Sequence, residues 1–211
     1  VESLQLRKFS LEDAGVRYKE TDYREDFAKK VEEFQPDLIG VTSVEDTWLQ
    51  AIELINSIPS TCDAPVICGG VFPTFSPNLA LEVDRVNMIC IGEGEEAIVE
   101  VCQELEKGRL PTKVKNIWCK DGKTIVKNPM RPPIPMSEVP FGDFSLFEKE
   151  RFYRPMQGKI YRMMPIETDR GCPYTCRFCE APALNNLYRA NTNARYFRRR
   201  TWQEVHEEIS H

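Results

Sequence analysis

Short apolar segments alternate with amphipathic segments through the first half of the chain, and this alternation limits the possible folds more than any other feature. The apolar segments have the length of strands that are buried on both faces, and helical patterns lie between them. Strands that alternate with helices form a parallel sheet with helices on both sides. The sequence therefore predicts an α/β fold with a doubly wound, Rossmann-like parallel sheet. The predicted strands are 16–22, 37–43, 64–70 and 87–95 (the last with its turn), and the predicted helices are 4–15, 23–35, 45–57 and 95–108.

The loops that follow three of these strands carry glycines and hydroxyl side chains. In a doubly wound sheet, ligands lie beyond the carboxyl ends of the strands. Glycine lets a backbone approach a bulky ligand closely, and a hydroxyl supplies a short hydrogen bond, although a glycine pair after a strand can also be only a tight turn. We expect the three loops to form one ligand rim, whose members are Ser43, Gly69, Gly70, Thr74 and Gly92.

The predicted organisation has three parts. Residues 1–110 form the α/β domain, residues 111–158 hold a hairpin (115–129, turning at Asp121-Gly122) and a proline-rich connector, and residues 159–211 begin a second domain. In that second domain we expect a strand at 159–171, a cysteine loop, and a helix at 200–210 whose capping box is Thr201 and Glu204. Strand, loop and helix form the opening unit of a β/α barrel.

The chain starts at a predicted helix, so the strand that is usually central in such a sheet has no counterpart in the sequence. We therefore expect the sequence to be a fragment of a longer protein, and we expect this fragment to be inactive by itself.

Charge is divided unevenly along the chain. Residues 1–150 carry 17 Lys+Arg against 27 Asp+Glu, whereas residues 151–211 carry 11 against 6. The second part either meets an anionic ligand, or docks on the acidic first part, or simply has a different surface. The hydrophobic content of 41% is ordinary, no apolar run approaches the length of a membrane span, and no signal peptide opens the chain. These features predict a cytoplasmic protein with reduced thiols and no membrane partner.

Three of the eight cysteines fall in the segment GCPYTCRFC, residues 171–179, with the spacing C-x3-C-x2-C. A structural zinc site needs a fourth ligand, and a C-x2-C redox pair leaves Cys172 without a role. A [4Fe–4S] cluster held by Cys172, Cys176 and Cys179 leaves one iron open to a substrate or cofactor, and we favour this metal site over the other two. The remaining cysteines are scattered, and Cys68, Cys90 and Cys102 have apolar surroundings typical of core residues.

The motif G-C-x3-C-x-F-C after a strand resembles that of the radical S-adenosylmethionine (SAM) superfamily. The resemblance implies that the open iron binds SAM, that the reduced cluster cleaves it to a 5′-deoxyadenosyl radical, and that Phe178 lies near the adenine. It also implies an electron donor of the flavodoxin or ferredoxin type. The first domain resembles the cobalamin-binding domain that precedes the barrel in one branch of that superfamily, on the stretches 42–44, 66–74 and 91–96. This second resemblance implies that the ligand rim contacts cobalamin.

Taken together, these resemblances predict a cobalamin-dependent radical SAM enzyme that transfers a methyl group to an unreactive carbon, or that carries out ring-forming or oxidative chemistry. An alternative is a radical SAM enzyme whose first domain binds no cobalamin. A third hypothesis is an iron–sulfur protein that binds nucleic acid through Arg195 and the run 198–200, and we consider it the weakest because short basic runs are usually solvated or docking surfaces.

Overall fold

A computed structural model describes residues 21–210 of the chain. Three parallel strands form the centre of the first domain: β1 (Ile39–Thr42), β2 (Val66–Gly69) and β3 (Val86–Cys90), in that spatial order. The α/β fold predicted from the sequence is confirmed. The predicted helix 4–15 and residues 16–20 of the predicted strand 16–22 lie outside the described residues.

Helices cover both faces of this sheet, because successive residues of each strand point to opposite sides. In β2, Val66 and Cys68 pack into one buried cluster and Ile67 into the other. The first cluster includes Trp48 and Ile55 of a helix, and the second is covered by a helix on the opposite face. The helices of this domain are α1 (Tyr23–Phe34), α2 (Trp48–Asn56), α3 (Val71–Phe75), α4 (Pro77–Glu82) and α5 (Glu95–Glu106).

The hairpin predicted at 115–129 is present and extends the sheet. Strand β4 (Ile117–Asp121) pairs antiparallel with β3, and β5 (Thr124–Lys127) pairs with β4, so the sheet has the order β1-β2-β3-β4-β5. The predicted Asp121-Gly122 turn is confirmed, with Gly122 at φ 59°. Ile117 and Cys119 are fully buried against Met88 and Cys90, and this burial explains why the hairpin joins the sheet.

Residues 159–210, the described part of the predicted second domain, differ from the prediction in two places. The single strand expected at 159–171 is wrong: β7 (Lys159–Arg162) pairs with β6 (Tyr153–Met156), and a separate β8 (Asp169–Arg170) pairs with β9 (Arg198–Arg199). Pro165 lies between β7 and β8, where it cannot donate to a strand ladder. A helix that was not predicted, α6 (Ala181–Thr192), follows the cysteine loop directly.

The last helix, α7 (Trp202–Ser210), confirms the predicted capping box. Thr201 N donates to Glu204 Oε2 at 2.6 Å, and Glu204 N donates to Thr201 Oγ1 at 3.3 Å. Within residues 21–210, no helix is long and apolar enough to cross a membrane.

Candidate functional site

The structure brings the loops of the predicted ligand rim together at the carboxyl ends of β1, β2 and β3. Ser43 N donates to Gly69 O at 3.0 Å, and Phe72 N donates to Ser43 O at 3.2 Å. Thr74 joins the other two loops, because its hydroxyl donates to Gly70 O at 2.7 Å and accepts from Gly92 N at 3.0 Å. The rim is therefore a continuous hydrogen-bonded edge.

The three glycines of the rim differ in their surroundings. Gly70 has φ 97° and ψ −169°, and a Cβ there would lie 2.5 Å from Ser43 O. Gly92 has φ 76°, and a Cβ there would meet the hydroxyl of Tyr188. Gly69 could carry a Cβ in ordinary van der Waals contact, since the nearest atom to its Cβ position is Cys90 Cβ at 3.9 Å. Gly70 and Gly92 are thus required by contacts within the chain, whereas Gly69 is not.

One polar atom of the rim has no partner. Ser43 is 3% exposed, and its Oγ makes no hydrogen bond with any described residue. Buried hydroxyls are usually paired, so an unpaired one at a ligand rim is available to a ligand. A cavity of about 360 Å³ borders the same rim and is lined by Gly69, Thr42, Cys90 and the start of α5. These features fit a ligand that packs an apolar surface against the rim and makes a few hydrogen bonds with it.

The three predicted cluster ligands share one loop between β8 and α6. Cys176 is exposed, Cys172 and Cys179 are half-buried, and none of them is in a disulfide. Asn185 Nδ2 in α6 donates to Cys172 O at 3.0 Å, and Gly171, at φ 87°, lies against Phe197. Phe178 is 94% exposed beside them.

The thiols of this loop are not gathered around a common point. Among residues 21–210, no three His, Cys, Asp or Glu side chains are grouped closely enough to hold a metal ion. The chemistry of the donor set nevertheless fits an iron–sulfur cluster, because cysteine thiolates hold such clusters and these three thiols are free on one loop.

Three of the other cysteines are poor candidates for metal ligands. Burial raises the pKa of Cys68 and of Cys90 to about 12, and it also raises the pKa of Cys119. Such thiols resist the deprotonation that metal binding requires. Cys102, expected in the core, is exposed on α5, so that expectation was wrong.

The ligand rim and the cysteine segment meet at Glu93, a residue that the sequence reasoning did not single out. Arg170, just before Gly171, donates to Glu93 Oε1 at 3.1 Å and to Glu95 Oε1 at 2.5 Å. Arg198 also pairs with Glu93, and Glu93 N donates to the hydroxyl of Tyr188 in α6 at 2.7 Å. The sequence feature that indicated such a contact was the uneven division of charge, because the basic second part docks on the acidic first part at this point.

These contacts account for two residues of the basic run. Arg198 pairs with Glu93, and Arg200 is 8% exposed and pairs with Glu208.

Two pKa values near this contact are shifted. Hydrogen bonds from Arg170 lower the pKa of Glu167, and burial raises the pKa of Tyr188.

Comparison with known proteins identifies relatives for both parts. Residues 2–102 match the family model of the B12 binding domain. An uncharacterized methyltransferase of Pyrococcus horikoshii is 27% identical over 159 residues, which cover 74% of this chain and 34% of the relative. The anaerobic magnesium-protoporphyrin IX monomethyl ester cyclase of Cereibacter sphaeroides is 29% identical over 167 residues, which cover 75% of this chain and 27% of the relative.

Among solved structures, the radical SAM methyltransferase TsrM of Kitasatospora setae, with cobalamin and a [4Fe–4S] cluster bound, has the same fold. Its TM-score is 0.57 at 20% identity, and the match covers 89% of this chain and 37% of TsrM. The matched region spans 34% and 27% of the length of these two curated relatives.

Proposed function

We propose that this chain belongs to the radical SAM proteins that carry a B12 binding domain and that it acts as a cobalamin-dependent radical SAM enzyme. The observation that carries the proposal is the direct contact between the two parts: Arg170, two residues before Cys172, is bonded to Glu93 in the same loop as Gly92. The proposed cluster loop and the proposed cobalamin rim are thereby neighbours.

Cys172, Cys176 and Cys179 are the residues that would hold the [4Fe–4S] cluster as thiolates. Their loop is accessible, and three ligands leave one iron position for the amino and carboxylate groups of SAM. Phe178, exposed between Cys176 and Cys179, offers an apolar face to the adenine of SAM. Asn185 supports the loop by its hydrogen bond to Cys172 O.

Ser43, Gly69, Gly70, Thr74 and Gly92 are the residues that would contact cobalamin. Ser43 supplies the unpaired hydroxyl, and Gly69 lines the cavity without a side chain. Thr74, Gly70 and Gly92 act mainly by fixing the shape of the rim, because their polar atoms and close contacts are already used within the chain.

When bound, the cluster supplies the electron that cleaves SAM, and cobalamin supplies a methyl carrier or tunes the radical step. The chain contributes placement of the two cofactors and exclusion of water. The reaction is methyl transfer to an unreactive carbon, or ring-forming or oxidative chemistry, in keeping with a methyltransferase and a cyclase among its relatives. Reductive cleavage needs an electron donor of flavodoxin or ferredoxin type. Eight free cysteines suit a reducing, cytoplasmic location.

Consumption of SAM by the full-length protein tests this proposal. Anaerobic protein carrying the cluster and hydroxocobalamin is mixed with SAM and a low-potential reductant. We expect SAM to be consumed by wild type and by the control Cys102→Ala, and not by Cys176→Ala. A cluster-loaded wild-type protein that leaves SAM intact contradicts the proposal. If wild type consumes SAM at the same rate and forms the same products without cobalamin, the alternative in which the first domain binds no cobalamin is favoured.

A further inference from the structure

Glu93 lies next to Gly92 in the loop after β3, and its side chain contacts segments that are far apart in the sequence. Glu93 Oε1 accepts from Arg170 at 3.1 Å and is paired with Arg198, and Glu93 Oε2 accepts from Ile134 N at 3.0 Å. The side chain is 9% exposed. A carboxylate removed from water needs such partners, so its charge holds β8, β9 and the proline-rich connector in fixed positions.

The backbone of Glu93 adds two more links. Its N donates to Tyr188 Oη at 2.7 Å, and its O accepts from Asn116 Nδ2 at 2.7 Å. Tyr188 and Asn116 are both fully buried. Tyr188 stacks on Tyr196 with ring centroids 4.8 Å apart, which fixes the ring that meets the loop. The backbone N and O of Glu93 are therefore both hydrogen-bonded to side chains outside the loop.

The same contacts reach the cysteine loop from both of its ends. Arg170 precedes Gly171 and Cys172, and it is held by Glu167 at 2.8 Å and by Glu95 at 2.5 Å besides Glu93. At the other end, α6 starts at Ala181, two residues after Cys179, and carries Tyr188. Any rearrangement of the cysteine loop that moves Arg170 or α6 is transmitted to Glu93.

We propose that Glu93 is a positioning residue that couples occupancy of the two cofactor sites. The inference rests on the proposed function and adds to it. Closing the cysteine loop around a cluster further restricts the motion of Arg170 and α6, and through them the motion of Glu93 and of the adjoining Gly92 in the cobalamin rim. Each cofactor then raises the affinity for the other by the same factor, as linkage requires.

The coupling is tested in the full-length protein by the ratio of two hydroxocobalamin affinities, one measured with the cluster and one without it. Hydroxocobalamin is titrated before and after anaerobic reconstitution of the cluster, in wild type, Glu93→Gln and Glu96→Gln. Glu96 is the matched control, because it carries the same charge in the first turn of α5 and its ion-pair partner among residues 21–210 is Arg131, at 3.0 Å, not a residue next to the cysteine loop. We expect binding to tighten about 5-fold or more on reconstitution in wild type and Glu96→Gln. The ratio should fall to near one in Glu93→Gln. A purely structural role of Glu93 changes both affinities and leaves their ratio intact, which overturns the proposal.

Amide hydrogen exchange at residues 91–94 gives a second readout that needs no cobalamin. Cluster reconstitution should slow this exchange in wild type and Glu96→Gln, but not in Glu93→Gln or in Tyr188→Phe, which removes one hydroxyl and keeps the stacked ring. The coupling is overturned if the cluster does not slow the exchange in wild type, or if it slows the exchange as strongly in Glu93→Gln and Tyr188→Phe as in wild type. If wild type binds no hydroxocobalamin, the proposed function fails, and the exchange result then tests only whether Glu93 transmits the state of the cysteine loop to residues 91–94.

Discussion

Two adjacent glycines end β2, and only Gly70 has a conformation that demands glycine. Its φ of 97° with ψ of −169° lies in a region that residues with a side chain avoid, and a Cβ would crowd Ser43 O at 2.5 Å. We expect Gly70→Ala to lower the free energy of unfolding of the cofactor-free protein by about 1–3 kcal/mol. Gly69→Ala is the matched control, with ordinary space for a Cβ, and should change it by less than about 0.5 kcal/mol. Urea denaturation measures both, and equal losses in the two variants would show that this reading of Gly70 is wrong.

Ser43 and Thr74 both carry buried hydroxyls in the rim, but only that of Ser43 is unpaired. Ser43→Ala should leave the unfolding free energy of the cofactor-free protein nearly unchanged. It should weaken hydroxocobalamin binding by about 0.5–1.5 kcal/mol, the usual value of one hydrogen bond.

Thr74→Val is the contrasting variant, because it breaks the bonds to Gly70 O and Gly92 N. It should destabilise the cofactor-free protein by about 1–3 kcal/mol. Denaturation and a hydroxocobalamin titration separate the two effects. Unchanged affinity in Ser43→Ala would remove Ser43 from the proposed contacts.

The central strands carry a pH dependence of their own. Burial raises the pKa of Cys68 in β2 and Cys90 in β3 to about 12, whereas an unfolded thiol titrates near about 8.5. Above about pH 8.5, the folded state therefore binds more protons than the unfolded state. The contribution of these thiols to the free energy of unfolding is complete below that pH and is lost as the pH rises toward 12. Each thiol should lower the unfolding free energy by about 1.4 kcal/mol per pH unit in that window.

Denaturation of the cofactor-free protein at several pH values from neutral to alkaline checks this slope. Cys68→Ala should make the slope shallower, and the exposed Cys102→Ala should not. An identical slope in wild type and Cys68→Ala would contradict the assignment to buried thiols.

At the level of elements, the sequence predicts best where a single pattern decides. The buried strands β1, β2 and β3 and the helices α1, α2 and α5 were predicted from periodicity, whereas the short helices α3 and α4 were not. The rim followed because parallel strands end at one edge of the sheet. The prediction at 159–171 failed because its apolar residues pair locally in the β6–β7 hairpin instead of extending to the cysteine loop. Helix α6 was missed, although Pro182 near its start and Leu184, Leu187 and Tyr188 at helical spacing were visible.

For the molecule as a whole, charge predicted that the two parts could dock but not which residues would meet. The pairs of Glu93 with Arg170 and Arg198 join positions more than seventy residues apart in the chain. Such pairs depend on tertiary structure, which periodicity and local motifs do not encode. The cysteine motif, in contrast, was readable from spacing alone, because all three thiols belong to one loop.

The central claim is that one protein holds an iron–sulfur cluster on Cys172, Cys176 and Cys179 and cobalamin on the rim of its first domain. The absorbance spectrum of the full-length protein, reconstituted anaerobically with iron, sulfide and hydroxocobalamin and then freed of unbound cofactor, tests it most directly. We predict a broad iron–sulfur band together with separate corrinoid bands in wild type and Cys102→Ala. Each of the variants Cys172→Ala, Cys176→Ala and Cys179→Ala should lose the iron–sulfur band and keep the corrinoid bands. Full iron content in any of those three variants, or a well-folded wild type without corrinoid bands, would contradict the claim.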